Sequence, residues 1–349
     1  MFEFQVVRII LLSTLAFVFA ILCTPILTHF LYKYKLGKKI RDSGKTPIFS
    51  RLHAHKAGTP TMGGILIWGT VLIFIVLFSF LADILPWEIF KELNFFSRAE
   101  TLLPLGALVA SALIGLFDDW LDVKGKGMFG GGGLKLKHRL LIYTLIALFG
   151  ALWFYFKLDW SVFHIPLMGS FEISWWYILV FMFIIVATSF SVNETDGLDG
   201  LAGGGLLIAF ASYGVIAFTL GRFDLAVFCG VIIGALLAFL WFNIPPARFY
   251  MGDTGAMGLG VTLGVIAMLT NSALLLPFIG FIFMIESLSV IIQMLSKKLR
   301  GKKVFHSSPI HHHFQAIGWS ESKIVMRFWV ISAVAAAIGL MIFLVDFTW

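Results

Sequence analysis

The chain has 349 residues, of which 59% are apolar and 13% charged, with a formal net charge of +7. Soluble proteins carry about 25% charged residues, so a water-exposed globular surface is excluded. The charge pattern, considered below, argues for orientation in a membrane and against nucleic acid as a partner.

Ten apolar stretches, at 5–30, 62–83, 102–118, 140–157, 174–192, 200–220, 224–243, 254–271, 274–296 and 324–346, recur along the chain. A helix of about 20 apolar residues crosses the hydrocarbon, and lipid offers an unpaired backbone no partners. The prediction is an all-α polytopic membrane protein with about ten transmembrane helices. Residues 1–349 are expected to form a single integral membrane domain. The first stretch is longer than a signal-peptide core and lacks a small-x-small cleavage site, so it reads as a retained span. Cys23 and Cys229 both fall in apolar stretches, so neither a disulfide framework nor a cysteine metal site is implied.

The polar punctuation between spans carries the chemistry. Before span 2, Thr59 is a suitable N-cap and Pro60 suits a first helical turn. The exposed N–H groups of such a helix start, reinforced by Lys56, form a phosphate cradle. Asp118 and Asp119 close span 3, where a helix C-terminus disfavours carboxylates. Binding Mg²⁺ or activating a nucleophile would explain them. With Asp122 the run also reads as the DDxxD form that holds diphosphate through magnesium.

Between spans 5 and 6 the segment from Asn193 to Ala202 holds Glu194, Asp196 and Asp199 with no base, more carboxylate than capping needs. Tyr250 and Asp253 precede span 8. Asp253 is either a helix cap or a ligand for Mg²⁺, which prefers oxygen donors and substrate phosphates. Within span 9, Glu286 and Gln293 share a helix face, and ionisable groups at such depth are functional or paired. In His311, His312 and His313, consecutive helical residues point about 100° apart, which favours phosphate contact or acid–base work over a shared zinc.

The basic residues settle the expected orientation. The loops after spans 1 and 3 and before span 10 hold 19 of the 26 Lys and Arg. Ten crossings put these loops on one side, which the positive-inside rule assigns to the cytoplasm, with both termini outside. Nearly every unusual polar cluster falls on that same face. Anionic bilayer lipids are natural neighbours for the charge.

The segments His55–Gly64, Asn193–Ala202, Met251–Asp253 and Pro309–Phe314, in this order, resemble the phospho-N-acetylmuramoyl-pentapeptide transferases. These form a branch of the polyprenyl-phosphate N-acetylhexosamine-1-phosphate transferase superfamily. The resemblance implies a ten-helix enzyme of the bacterial plasma membrane, a homodimer, acting in peptidoglycan synthesis. Such an enzyme moves phospho-MurNAc-pentapeptide from UDP-MurNAc-pentapeptide to undecaprenyl phosphate, giving lipid I and UMP, with Mg²⁺ as cofactor. By the same resemblance Asp253 is the magnesium ligand, and Asp118 and Asp119 are the pair from which a base comes. Asn193 and Asp196 are polar catalytic positions. Lys56, Gly197, Leu198 and Asp199 belong to a uridine pocket, with Tyr250 where a uracil-stacking Phe is usual. Thr61, Gln293, His311, His312 and His313 are further substrate contacts. Asp122, Phe190 and the run Gly130–Gly133 depart from the pattern, while Arg139 aligns with a basic position.

Three alternatives compete. A sibling transferring GlcNAc-1-phosphate usually has an interrupted histidine motif, unlike the unbroken run here. A DDxxD prenyltransferase leaves the histidines and the Asn193–Asp199 segment unexplained. A transporter would place its charges near mid-membrane.

Overall fold

The computed structural model describes residues 2–37, 58–98, 100–125, 134 and 136–348. The spanning helices are α1 (Phe2–Lys33), α2 (Ile65–Ile84), then, after a short α3 (Glu88–Leu93), α4 (Leu102–Lys124) and α5 (Leu136–Lys157). A hairpin of β1 (Val162–Ile165) and β2 (Gly169–Glu172) follows, paired antiparallel with Phe163 opposite Phe171. Next come α6 (Trp176–Thr195), α7 (Leu201–Thr219), α8 (Phe223–Asn243) and α9 (Gly252–Leu269). The chain ends with a short α10 (Leu276–Ile279), α11 (Phe281–Arg300), α12 (Ile310–Ala316) and α13 (Glu321–Thr348).

Among the described residues nine helices are long and apolar enough to cross a membrane, and one bent pair, a broken span or a re-entrant loop, makes ten if it counts as a single crossing. Nine of the ten expected spans are therefore present as helices of sufficient length, and the remaining one differs from expectation. Span 9 is not straight: it breaks by 86° at Gly280, between α10 and α11. Beyond the break α11 buries Glu286, Ser289, Gln293 and Ser296. Its opposite face exposes Leu288, Ile291, Ile292, Leu295 and Leu299. Polar inward and apolar outward is the arrangement of a helix with lipid on its outer side.

Every residue of α9 is buried, so it forms the axis of the bundle. Small residues allow this, because backbones can then approach closely. A Cβ at Gly115 of α4 would lie 2.2 Å from the Asp253 carbonyl oxygen, and one at Gly260 2.9 Å from Ser189 Cα on α6. The same device joins α1 to α8, where a Cβ at Gly234 would lie 2.1 Å from the Ser13 carbonyl oxygen. At the end of the molecule that carries the hairpin, His164 Nε2 meets Asp346 Oδ2 at 2.5 Å and ties β1 to α13. The opposite end gathers the starts of α2, α5, α7 and α9 and the ends of α4 and α6.

Candidate active site

That gathering begins with the unusual start of α9. Gly252 has a left-handed φ of +73°, and a Cβ there would sit 2.5 Å from Asp119 Oδ2 and 2.6 Å from Thr61 Oγ1. No other residue fits this position without strain. The contact lets Asp119 reach the helix end, where Oδ2 accepts the Thr254 N–H at 3.0 Å and Oδ1 accepts the Thr61 hydroxyl at 3.3 Å. Thr254 is fixed in turn, donating to the Ala112 carbonyl at 2.8 Å and accepting Trp68 Nε1 at 3.1 Å.

One residue earlier, Asp253 faces a different network. Its Oδ1 accepts Asn193 Nδ2 at 2.6 Å, and its Oδ2 lies 2.7 Å from Arg139 Nη2. The same nitrogen lies 2.8 Å from Asp118 Oδ2, while Arg139 Nη1 donates to Asn193 Oδ1 at 3.1 Å. The Leu134 N–H donates to Asp118 Oδ1 at 2.5 Å. Both carboxylates are buried, and such burial is tolerable only with charge and hydrogen-bond compensation. Residues from α4, α5, α6 and α9 thus share one polar cluster.

The segment after α6 forms the neighbouring wall. Asp199 Oδ2 accepts the Ala247 N–H at 3.0 Å, and Asn243 ties the Gly200 N–H to the Phe249 carbonyl. Burial pushes the Tyr250 phenol up to about 12, helped by the charges of Asp199, Glu321 and Asp196 and opposed by a hydrogen bond with Thr59. The ring therefore stays neutral at physiological pH. Gly197 lies against His311, where a Cβ would come within 2.4 Å of Nε2. His311 Nδ1 is 2.9 Å from Glu286 Oε2, in a pair closed to solvent.

The three histidines diverge as helical spacing requires. His312 Nδ1 meets Gln315 Oε1 at 2.9 Å, and His313 Nδ1 accepts the His306 N–H at 3.2 Å. Gln293 clamps the connection between α11 and α12: its Oε1 accepts the Val304 and Phe305 N–H groups, and its Nε2 donates to the Phe305 carbonyl. Leu198 packs with Leu201, Ile282 and Phe328, so its side chain serves the core. Lys56 lies outside the described residues.

Four local expectations change. α2 starts at Ile65, not at Thr59 and Pro60: Pro60 is in an extended bridge with Gly37. The Gly63 and Gly64 N–H groups already donate to the Tyr250 and Met251 carbonyls, each at 2.8 Å, so these two groups are not open to a phosphate. Asp118 and Asp119 do not close their helix, which runs on to Lys124 and a left-handed Gly125, so the argument from an unfavourable helix end falls away. The cap positions of α9 and α7 are taken by Met251 and Gly200, neither of which makes a side-chain cap bond, so Asp253 and Asp199 do not occupy them.

Arg139 and Glu286 complete this site, and the sequence singled out neither as a site residue. Arg139 aligns with a basic position of the resembled family and Glu286 reads as functional or paired, but the resemblance names no role for either.

A hard cation suits the cluster. Asp118, Asp253 and Asn193 present oxygen donors, the set that Mg²⁺ takes alongside substrate phosphates. Two of these oxygens flank one positively charged nitrogen, so the donor types suit such an ion, although among the described residues no three His, Cys, Asp or Glu side chains gather as a metal site.

A family model described as glycosyl transferase family 4 matches residues 101–271. A phospho-N-acetylmuramoyl-pentapeptide-transferase signature matches residues 56–67. A Chloroflexus aggregans protein named phospho-N-acetylmuramoyl-pentapeptide-transferase is 38% identical over 97% of this chain and 90% of its own length. Relatives of the same name from Geobacillus thermodenitrificans and Bacillus subtilis are 38% and 37% identical, each over 96% of this chain and 97% and 98% of their own.

Proposed function

The chain belongs to the phospho-N-acetylmuramoyl-pentapeptide-transferase family, and from that premise we propose how it makes lipid I at the membrane surface. It is a multi-pass bacterial membrane enzyme of peptidoglycan synthesis. It transfers phospho-MurNAc-pentapeptide from UDP-MurNAc-pentapeptide to undecaprenyl phosphate and releases UMP.

In the direct form of the reaction, a phosphate oxygen of the lipid forms a bond to the phosphorus that carries the sugar. The bond from that phosphorus to the UMP oxygen breaks, and UMP leaves with the electron pair. Both partners are anionic, so their charge must be offset first. Magnesium, when bound by Asp253 with Asp118 and Asn193 nearby, supplies that neutralisation. In this reading Asp118, which faces Asp253 across a single nitrogen, accepts the lipid phosphate's proton. Asp119 holds the α9 end through Thr254, so its part is to aim Asp253. Asp196, Gly197, Asp199 and Tyr250 line the side suited to uridine, with Lys56 from the preceding loop. Thr61, Gln293, His311, His312 and His313 shape the remaining wall. A homodimer belongs to the same proposal, and cross-linking in native membranes tests it.

The convergence of Asp118, Asn193 and Asp253 carries this reading. Its test is Asp253→Asn, assayed by UMP release dependent on undecaprenyl phosphate. Asn keeps the size and one acceptor but loses the charge, so turnover should fall to background in a folded protein. Near wild-type release would return Asp253 to a structural role.

A further inference from the structure

The position between Asp118 and Asp253 already holds a cation. Arg139 Nη2 lies 2.8 Å from Asp118 Oδ2 and 2.7 Å from Asp253 Oδ2. These are contacts to one nitrogen, with no side-by-side fork to a single carboxylate, the stronger arrangement for Arg. The seat is imperfect in two further ways. Arg139 Nε is buried with no hydrogen-bond partner among the described residues. Arg139 also sits in the first turn of α5, where the partial positive charge of a helix start repels a cation. One positive charge serves two carboxylates, whereas a divalent ion would neutralise both.

We propose that Arg139 is the resting occupant of the metal position: it compensates Asp118 and Asp253 until a divalent cation enters, and is displaced by it. The proposal rests on the magnesium reading above. Without metal, Arg139 prevents two buried carboxylates from facing each other uncompensated. With metal, its planar guanidinium is released beside the site, where its fork matches the geometry of a phosphate. Exchange of one cation for another links metal entry to the appearance of a free phosphate-binding group.

The test uses Mn²⁺ as a paramagnetic probe, titrated into the purified full chain in detergent without substrate and read by electron paramagnetic resonance. Arg139→Gln removes the competitor and should bind Mn²⁺ at least about tenfold more tightly, the scale of losing a unit charge at contact distance. Arg139→Lys keeps the charge and should stay near wild type. Arg139→Gln/Asp253→Asn should lose the gain, which places it at these carboxylates. Melting gives an independent reading: metal-free Arg139→Gln should unfold at a lower temperature than wild type, and saturating Mn²⁺ should close the gap. If Arg139→Gln survives purification only with Mn²⁺ present, unfolding on chelation, where wild type persists, is the result expected. Equal or weaker Mn²⁺ binding by Arg139→Gln would overturn the proposal while leaving the magnesium reading intact. Absence of saturable Mn²⁺ binding in wild type and variant alike would overturn both.

Discussion

Asp118, Asp119 and Asp122 lie within five residues of one helix but face three environments. Asp118 meets Arg139 and the Leu134 N–H, Asp119 meets Thr61 and Thr254, and Asp122 is only half-buried. Three carboxylates around one diphosphate-bound metal, as DDxxD chemistry requires, is not this arrangement. Asp119→Asn is therefore expected to lose about a hundredfold in rate, the scale of misplacing a catalytic group that the residue aims. Asp122→Asn should keep most activity. UMP release measures both, and equal loss from the two would mean that Asp122 takes part in the chemistry. Tyr250→Phe should also remain active, since the ring survives and only the hydrogen bond with Thr59 is lost. A collapse of nucleotide affinity in that variant would give the hydroxyl a direct role. At this scale the sequence was legible wherever polar residues interrupt apolar stretches, because such interruptions are costly. Arg139 was harder to find because its partners Asp118 and Asp253 are distant in sequence, and a basic residue near a helix start looks like a wet end.

The elements were legible through hydrophobic length, which places the spans to within a few residues, but length does not reveal direction. The stretch from Leu274 to Ser296 is continuous enough to read as one straight crossing, yet it turns by 86° at Gly280. The sign of the turn lies in the sidedness of α11, whose buried face is polar. Gln293 illustrates what that face does. It pairs three backbone groups of Val304 and Phe305, although the resemblance assigns it to substrate contact. Gln293→Leu would hand these part-buried groups to water, and each such hydrogen bond contributes about 0.5–1.5 kcal/mol net. Hydrogen exchange at 304 and 305 should accelerate, with a lower melting temperature. Unchanged exchange alongside weaker substrate binding would favour a direct contact. The misplaced start of α2 has a comparable cause: Thr59 and Pro60 satisfy local capping rules, but pairing with Gly37 and Tyr250 overrides them.

At the scale of the whole molecule, the two ends differ in how their charge is handled. At the hairpin end Arg8 is paired with Asp224, and Arg222 lies over the Trp160 ring. Burial there raises the Glu100 carboxyl above its ordinary value, against the lowering effect of the Leu225 N–H that it accepts. The site end keeps its basic charge in excess, with Lys33, Lys124, Lys297, Lys298 and Arg300 in the last turns of α1, α4 and α11. By the positive-inside rule this end is expected to face the cytoplasm, the side from which a nucleotide sugar would arrive while the lipid acceptor reaches the same surface from within the bilayer. Counting α10 and α11 as one crossing makes ten, so both termini should lie outside. The prediction is read with cysteines at Lys302, on the site end, and at Met168, 70% exposed at the hairpin tip. In intact cells an impermeant thiol reagent should label Met168→Cys and spare Lys302→Cys, which should react only after permeabilisation. Labelling at 302 before permeabilisation would invert the molecule and put the carboxylate cluster on the side from which the nucleotide is absent. The charge argument would then fail even though the fold and the cluster remained as they are.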